Sequence, residues 1–162
     1  MTEMLPSDLM SPQEGNNMCK RKTVLCADGV LINDGKILLL KRNVEPFKDH
    51  WHLVGGHVED DETLQTALKR EYKEETNLDI NVGKLIDSRI ENTRDRTKMI
   101  AVLEVVSAVG QIKLNHENSA FGWFAETPVD SVCSYDSYLN YAKQLINRHW
   151  SWRNGFFQFQ SR

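Results

Sequence analysis

Four glutamates and an arginine lie close together between positions 62 and 75 of this 162-residue chain. Glu62 is followed by Arg70 and Glu71, and then by Glu74 and Glu75. Carboxylates grouped in this way can share a divalent cation, because Mg²⁺ takes oxygen ligands, usually one or two carboxylates together with phosphates and water. The group therefore indicates metal-assisted chemistry on a phosphorylated substrate, and a solvated acidic helix face is the alternative.

A helix predicted over Thr63 to Thr76 must position these carboxylates, because the segment has helical apolar periodicity and contains no glycine or proline. On a helical wheel advancing 100° per residue, Glu71 and Glu75 fall within about 20° of Leu64, inside the apolar arc, and Glu74 flanks that arc. A solvated face would lie opposite the leucines. Two carboxylates near the core repel each other and tend to hold protons unless a cation is present. The wheel therefore favours metal binding.

Two glycines, Gly55 and Gly56, precede the helix and are predicted to end a short strand, Trp51 to Val54. A glycine backbone can approach a ligand closely because no Cβ is in the way. We therefore expect this turn to contribute backbone groups to the same site.

Together these residues resemble the Nudix box, in which Gly, five residues, Glu and seven residues precede Arg-Glu-apolar-any-Glu-Glu-any-Gly-apolar. Gly56, Glu62 and the run from Arg70 to Leu78 match its spacing at every charged position. Asn77 replaces the last glycine of the motif and tolerates the same left-handed backbone. Tyr72 replaces an aliphatic residue, and we expect it to pack with its hydroxyl at a rim.

The resemblance implies a Nudix hydrolase, which uses Mg²⁺ or Mn²⁺ to cleave the phosphoanhydride of an ADP-ribose-like nucleoside diphosphate derivative or of a nucleoside triphosphate. It implies these metal ligands: the carboxylates of Glu71, Glu74 and Glu75 and the carbonyl of Gly55. Arg70 would orient the glutamates through an ion pair, and Glu62 would tie the preceding loop to the helix. The alternative is a non-catalytic nucleotide-binding regulatory module, which the presence of all three glutamates disfavours.

The general base is open, because some family members use a helix glutamate and others a carboxylate on a distant loop. Glu117, which precedes an apolar strand, is the best distant candidate, and His116 is a weaker one. An ordinary solvated loop glutamate is the alternative for Glu117.

Substrate recognition also has two interpretations. The basic residues beyond the box either clamp phosphates or cover a hairpin surface; they are Arg89, Arg94, Arg96 and Lys98. The aromatic residues Phe47, Trp51 and Trp123 either stack on a base or fill the core. A proline that ADP-ribose-specific members often carry beyond the box is absent, because Arg94 stands near its place.

The remaining elements predict an α+β fold, a Nudix-type α/β/α sandwich with a mixed β-sheet. Two β-rich runs flank Asn33-Asp34-Gly35, a tight-turn sequence, and so predict a hairpin. The predicted strands are Thr23 to Ile32, Lys36 to Lys41, Ile80 to Arg89, Lys98 to Val106 and Ala120 to Ala125, and a second helix is predicted over Tyr138 to Trp150.

The composition is that of a soluble globular protein, with 40% hydrophobic and 27% charged residues. No apolar run approaches the roughly 18 residues of a membrane helix, so no membrane association is expected. The net charge of −3 gives no support to binding of double-stranded nucleic acid. Cys19, Cys26 and Cys133 form no Cys-x-x-Cys pair, which favours a reducing cytoplasm over a disulfide framework or a zinc site.

Three parts are expected along the chain: a flexible N-terminal arm over residues 1–21, a Nudix domain over residues 22–150 and an aromatic tail over residues 151–162. The arm lacks the apolar core of a secretory signal. The tail is expected to pack on the domain or on a second subunit, which would make a homodimer. The expected partner is a nucleotide substrate.

Overall fold

The computed structural model describes residues 22–92 and 96–141 of the chain. This part forms a seven-stranded mixed sheet and one complete helix. The elements in chain order are β1 (Lys22–Asn33), β2 (Lys36–Arg42), β3 (Trp51–His52), β4 (Val54–His57), α1 (Leu64–Thr76), β5 (Asp79–Asn92), β6 (Arg96–Val109) and β7 (Asn118–Phe124). The predicted arm and aromatic tail lie outside the described residues.

The predicted hairpin is confirmed between β1 and β2. Asp34 and Gly35 have φ angles of 48° and 71°, the positive values that a two-residue hairpin turn of this kind requires. Only the strand ends pair there, because β1 continues as the antiparallel partner of β4 and the parallel partner of β6. Strand β1 thereby joins β2 and its neighbours β3 and β7 to the strands that pack under α1.

The prediction of one strand from Trp51 to Val54, ended by two glycines, is wrong. The structure has two short strands, β3 and β4, and Gly55 and Gly56 lie inside β4, paired with Asp28 and Ala27 of β1. Gly55 has a φ of 155°, and a Cβ there would lie 2.7 Å from the Asp28 Cα. The glycine is needed because β4 approaches β1 too closely for a side chain.

The sheet is covered on both faces, which confirms the α/β/α sandwich. Alternate residues of β1 point to opposite faces, so Ala27 and Leu31 belong to a core under α1, and Cys26 and Val30 to a core on the other face. The second core includes Tyr138, which belongs to a helix described over residues 136–141. That helix begins before the predicted start at Tyr138, and its predicted continuation to Trp150 lies outside the described residues.

The ends of α1 follow from the sequence. Thr63 caps its N-terminus and exchanges hydrogen bonds with Thr66. Asn77, which replaces the glycine of the motif, ends the helix in the left-handed conformation expected of that position. Tyr72 packs in the core as predicted, but the prediction that its hydroxyl lies at a rim is wrong: the side chain is fully buried, and its hydroxyl donates to the Gly29 carbonyl at 3.0 Å. A buried hydroxyl needs such a partner, and strand β1 supplies it.

The other predicted strands are present and longer than expected, as β5, β6 and β7. Within the described ranges, no helix has the length and apolar character needed to cross a membrane.

Candidate active site

Helix α1 presents its three glutamates at three different depths. Glu75 is 4% exposed, the side chain of Glu71 is 15% exposed, and the side chain of Glu74 is 56% exposed. The orientation expected from the helical wheel is therefore confirmed. Two of the carboxylates lie inside the molecule, and the third lies at its surface.

Glu75 is held by one neutral N–H donor on each carboxylate oxygen. The backbone N–H of Gly55 donates to Oε2 at 3.2 Å, and Nδ2 of Asn118 donates to Oε1 at 3.3 Å. Burial nevertheless raises the pKa of Glu75 to about 8, and the negative charges of Glu71 and Glu117 act in the same direction. A cation at this carboxylate would remove the electrostatic cost of ionising it.

Glu71 lies against the backbone of β4. A Cβ on Gly56 would lie 2.6 Å from the carboxyl carbon of Glu71, so only glycine leaves room for the carboxylate. Burial raises the pKa of Glu71, while the Arg70 guanidinium, which donates to Oε1 at 2.8 Å, acts against that rise. The close approach expected of a glycine backbone is therefore present, at Gly56.

Arg70 has Glu62 as its main partner. Its Nε and Nη2 each donate to a different oxygen of Glu62, both at 2.9 Å, and Nη2 also donates to the His57 carbonyl at 2.9 Å. The hydrogen bonds from Arg70 and from the Glu59 backbone lower the pKa of Glu62 to about 2. Arg70 reaches Glu74 only at 3.4 Å. The guanidinium therefore joins the loop before α1 to the helix and makes one contact each with Glu71 and Glu74.

Glu117 lies on the loop that precedes β7, on the same side of the molecule as the helix glutamates. Its charge contributes to the raised pKa of both Glu71 and Glu75. The loop is anchored by its backbone: the Asn43 N–H donates to the Glu117 carbonyl at 2.7 Å, and the Glu117 N–H donates to Oδ1 of Asn115 at 3.1 Å. This anchoring leaves the Glu117 carboxylate available for chemistry.

Two residues of the site were missed by the sequence analysis, Asn118 and His52. Asn118 is buried and contacts Glu75, and Nε2 of His52 lies 2.9 Å from Oδ1 of Asn118. A polar residue at the start of an apolar strand was the available signal for Asn118. His52 had no such signal, because its contact spans 66 positions of sequence.

Three of the four basic residues beyond the box lie in the described part of the chain. Arg89 donates to the Tyr138 hydroxyl, on the sheet face opposite α1, and also pairs with Glu91 at 3.1 Å and Asp28 at 3.6 Å. Arg96 and Lys98 lie on β6, and Arg94 lies outside the described residues. The charges of Lys98 and Glu71 also act on the pKa of Asp28, so Arg89 belongs to a mixed-charge network that extends towards the helix glutamates.

The three aromatic candidates lie in different environments. Trp51 packs edge-on against Phe124 with 4.6 Å between ring centroids, and Trp123 packs against the core under α1. Phe47 is exposed. The core-filling interpretation thus holds for the two tryptophans.

A divalent cation fits this donor set. In residues 22–92 and 96–141, no group of three or more metal-binding side chains is already assembled. The buried pair Glu71 and Glu75 nevertheless supplies hard oxygen donors, the only ligand type that Mg²⁺ commonly takes from proteins. The absence of a Cβ at Gly56 makes room for the Glu71 carboxylate, and burial raises the pKa of both carboxylates.

Comparison with known proteins shows which family the chain resembles. The chain matches the NUDIX domain over residues 22–146. It is 31% identical over 133 residues to an ADP-ribose pyrophosphatase of Methanocaldococcus jannaschii, covering 81% of this chain and 75% of that protein. It is 32% identical over 119 residues to the nucleoside triphosphatase NudI of Escherichia fergusonii, covering 64% of this chain and 82% of that protein.

A solved structure shares the fold. The MutT NUDIX hydrolase from Burkholderia pseudomallei superposes with a TM-score of 0.64 at 22% identity, covering 76% of this chain and 97% of that one. The matched domain, the Nudix box and the layered fold lead to one conclusion: the chain is an enzyme of the Nudix hydrolase family.

Proposed function

We propose that this enzyme hydrolyses the phosphoanhydride of a nucleotide in a Mg²⁺- or Mn²⁺-dependent reaction. The observation that carries the proposal is the pair of carboxylates formed by buried Glu75 and half-buried Glu71. Desolvation raises the pKa of both, and an oxygen-seeking cation would stabilise both in ionised form. Relatives described as an ADP-ribose pyrophosphatase and a nucleoside triphosphatase support a substrate of this class.

The residues that would hold the cation are Glu71 and Glu75, with Glu74 at the exposed side and the Gly55 carbonyl as further ligands. When bound, the cation would neutralise charge on the bridging phosphates and lower the pKa of a bound water. Arg70 fixes the rotamer of Glu71 through its 2.8 Å contact, while Glu62 fixes Arg70. These contacts hold the ligands in place before substrate arrives, which lowers the cost of reorganisation.

Glu117 is proposed as the general base. It takes a proton from the water that attacks phosphorus, and the bond from phosphorus to the bridging oxygen breaks as the new bond forms. Its backbone is fixed by bonds with Asn43 and Asn115, and its carboxylate is close enough to Glu71 and Glu75 for its charge to act on their pKa values. A helix glutamate would take this role if Glu117 does not.

We propose the cytoplasm as the location, since Cys26 and Cys133 are free thiols, which a reducing compartment maintains. We also propose that the aromatic tail over residues 151–162 packs on the domain or on a second subunit, and the second arrangement would make a homodimer.

Removal of divalent cations is expected to abolish turnover, and excess Mg²⁺ or Mn²⁺ is expected to restore it. The reason is that a cation both holds the phosphates and activates the water. The measurement is formation of the nucleoside mono- or diphosphate product from ADP-ribose, nucleoside triphosphates and related nucleotides, separated by chromatography. Undiminished turnover in excess chelator would contradict the metal assignment.

The competing function is a regulatory module that binds nucleotide without hydrolysis. It predicts saturable nucleotide binding and no product in the same screen. Retention of Glu71, Glu74 and Glu75 favours the enzyme.

A further inference from the structure

Asn118 occupies a junction between three elements of the site. It begins β7, is 5% exposed, and lies between Glu75 of α1 and His52 of β3. Its Nδ2 donates to Oε1 of Glu75 at 3.3 Å and to Oδ1 of Asn115 at 3.2 Å, and its Oδ1 lies 2.9 Å from Nε2 of His52. Both ends of its amide are therefore engaged.

The imidazole of His52 is itself fixed in orientation. Its Nδ1 lies 2.7 Å from the Leu53 carbonyl, and both this oxygen and Oδ1 of Asn118 can only accept, so the ring donates to both only as the imidazolium. Burial lowers the pKa of His52, and the two hydrogen bonds act against that shift. With one ring nitrogen held by the backbone of its own strand, the other is directed at Asn118. The ring thus holds the amide from the side opposite Glu75.

We propose that Asn118 is a positioning residue for Glu75 and that His52 acts through it, so that a hydrogen-bonded chain from β3 through β7 to α1 sets the carboxylate for metal binding. The inference rests on the proposed function, in which Glu75 is a metal ligand.

The physical reason is the freedom of a glutamate side chain. Three torsions separate its carboxylate from the backbone, and the structure fixes the carboxylate plane with one N–H donor per oxygen, from Gly55 and from Asn118. Gly55 lies on β4, so without Asn118 the carboxylate would be held at one oxygen and could rotate about that contact. Partners of this kind typically contribute about 10–100-fold to metal affinity or activity.

The same amide connects Glu75 to the loop that carries Glu117. Asn115 accepts from Asn118 and also from the Glu117 N–H at 3.1 Å. One hydrogen-bond network therefore sets the position of Glu75, a proposed metal ligand, and of Glu117, the proposed base. Removing the Asn118 amide should therefore weaken metal binding.

The first test measures binding of Mn²⁺ alone to the full chain, by the electron paramagnetic resonance signal of the free ion. Asn118→Ala is expected to raise the dissociation constant for Mn²⁺ by about 10–100-fold. Ser119→Ala is the matched control from the next position of β7, because the Ser119 side chain is exposed and bonds only the Lys41 carbonyl among the described residues. It is expected to bind Mn²⁺ like the parent.

The second test asks whether His52 acts by orienting Asn118 through a hydrogen bond or only by packing. His52→Leu removes the donor to Asn118 and is expected to weaken Mn²⁺ binding about tenfold, whereas His52→Gln keeps a side-chain N–H and is expected to recover most of the affinity. Thermal unfolding of each metal-free variant reports any purely structural effect. This pair answers the question even where Asn118→Ala does not fold.

The outcomes are distinct. Folded Asn118→Ala and His52→Leu variants that bind Mn²⁺ within about twofold of the parent would overturn the inference while the parent still hydrolyses nucleotides. A parent that neither binds Mn²⁺ nor hydrolyses any nucleotide would overturn the proposed function and the inference with it. Weakened binding in both variants, with recovery in His52→Gln, supports the inference.

Discussion

Glu75→Gln is expected to lower turnover by about 1,000-fold, equivalent to about 4 kcal/mol of transition-state stabilisation, because a neutral amide removes a buried charge from the proposed metal site. Glu62→Gln is the matched control, since it is the same chemical change in the same motif. It is expected to cost about tenfold or less, because Glu62 only holds Arg70. The measurement is kcat at saturating Mg²⁺ for both variants.

The stability of the metal-free variants provides the folding control. Burial raises the pKa of Glu75 from the ordinary 4.5 to about 8. The folded state therefore keeps a proton that the unfolded state releases, and the free energy of unfolding of the parent should fall as pH rises through that interval. Glu75→Gln cannot titrate, so its unfolding free energy should depend less on pH there. Equal losses of turnover in folded Glu75→Gln and Glu62→Gln would contradict the separate roles.

Local features of this fold could be predicted from the sequence because they depend on neighbours along the chain. The depth of Glu71 and Glu75 follows from a spacing of one helical turn beside apolar residues. The left-handed end of α1 at Asn77 and the turn at Asp34 and Gly35 follow from backbone conformations that few residues tolerate.

Features that depend on contacts between distant segments could not be predicted. The two glycines looked like a strand end, and only the close approach of β1 shows why they continue the strand as β4. The Tyr72 hydroxyl finds its acceptor 43 positions away, at Gly29. The contact of Asn118 with Glu75 also spans 43 positions, and periodicity carries no information about such pairs.

The distribution of positive charge shows how the site keeps its carboxylates available. Arg70 gives Glu62 two hydrogen bonds and Glu71 one, while Glu75 receives bonds from neutral amides. An arginine forked onto Glu75 would occupy both of its oxygens and compete with a cation. The fixed positive charge of Arg70 therefore lies at the loop before α1, and among the described residues no cationic side chain bonds to Glu75.

Glu117→Gln is expected to lower the rate of a single turnover by about 10²–10⁴-fold and to leave substrate affinity nearly unchanged, because general-base assistance contributes on that scale and acts on the water. The experiment uses the best substrate at saturating Mg²⁺, so that weaker metal binding cannot mimic a slower chemical step. His116→Gln is the neighbouring control, since His116 is exposed on the same loop and was the weaker candidate for the base.

The comparison of these two variants decides between the candidates for the base. If Glu117 accepts the proton, Glu117→Gln should slow the chemical step, whereas His116→Gln should react at the rate of the parent. Catalytic hydrogen bonds often tighten only in the substrate complex, and a loop fixed at its backbone by Asn43 and Asn115 permits that movement of the side chain. A Glu117→Gln rate within about threefold of the parent would remove Glu117 from the mechanism and leave a helix glutamate to activate the water.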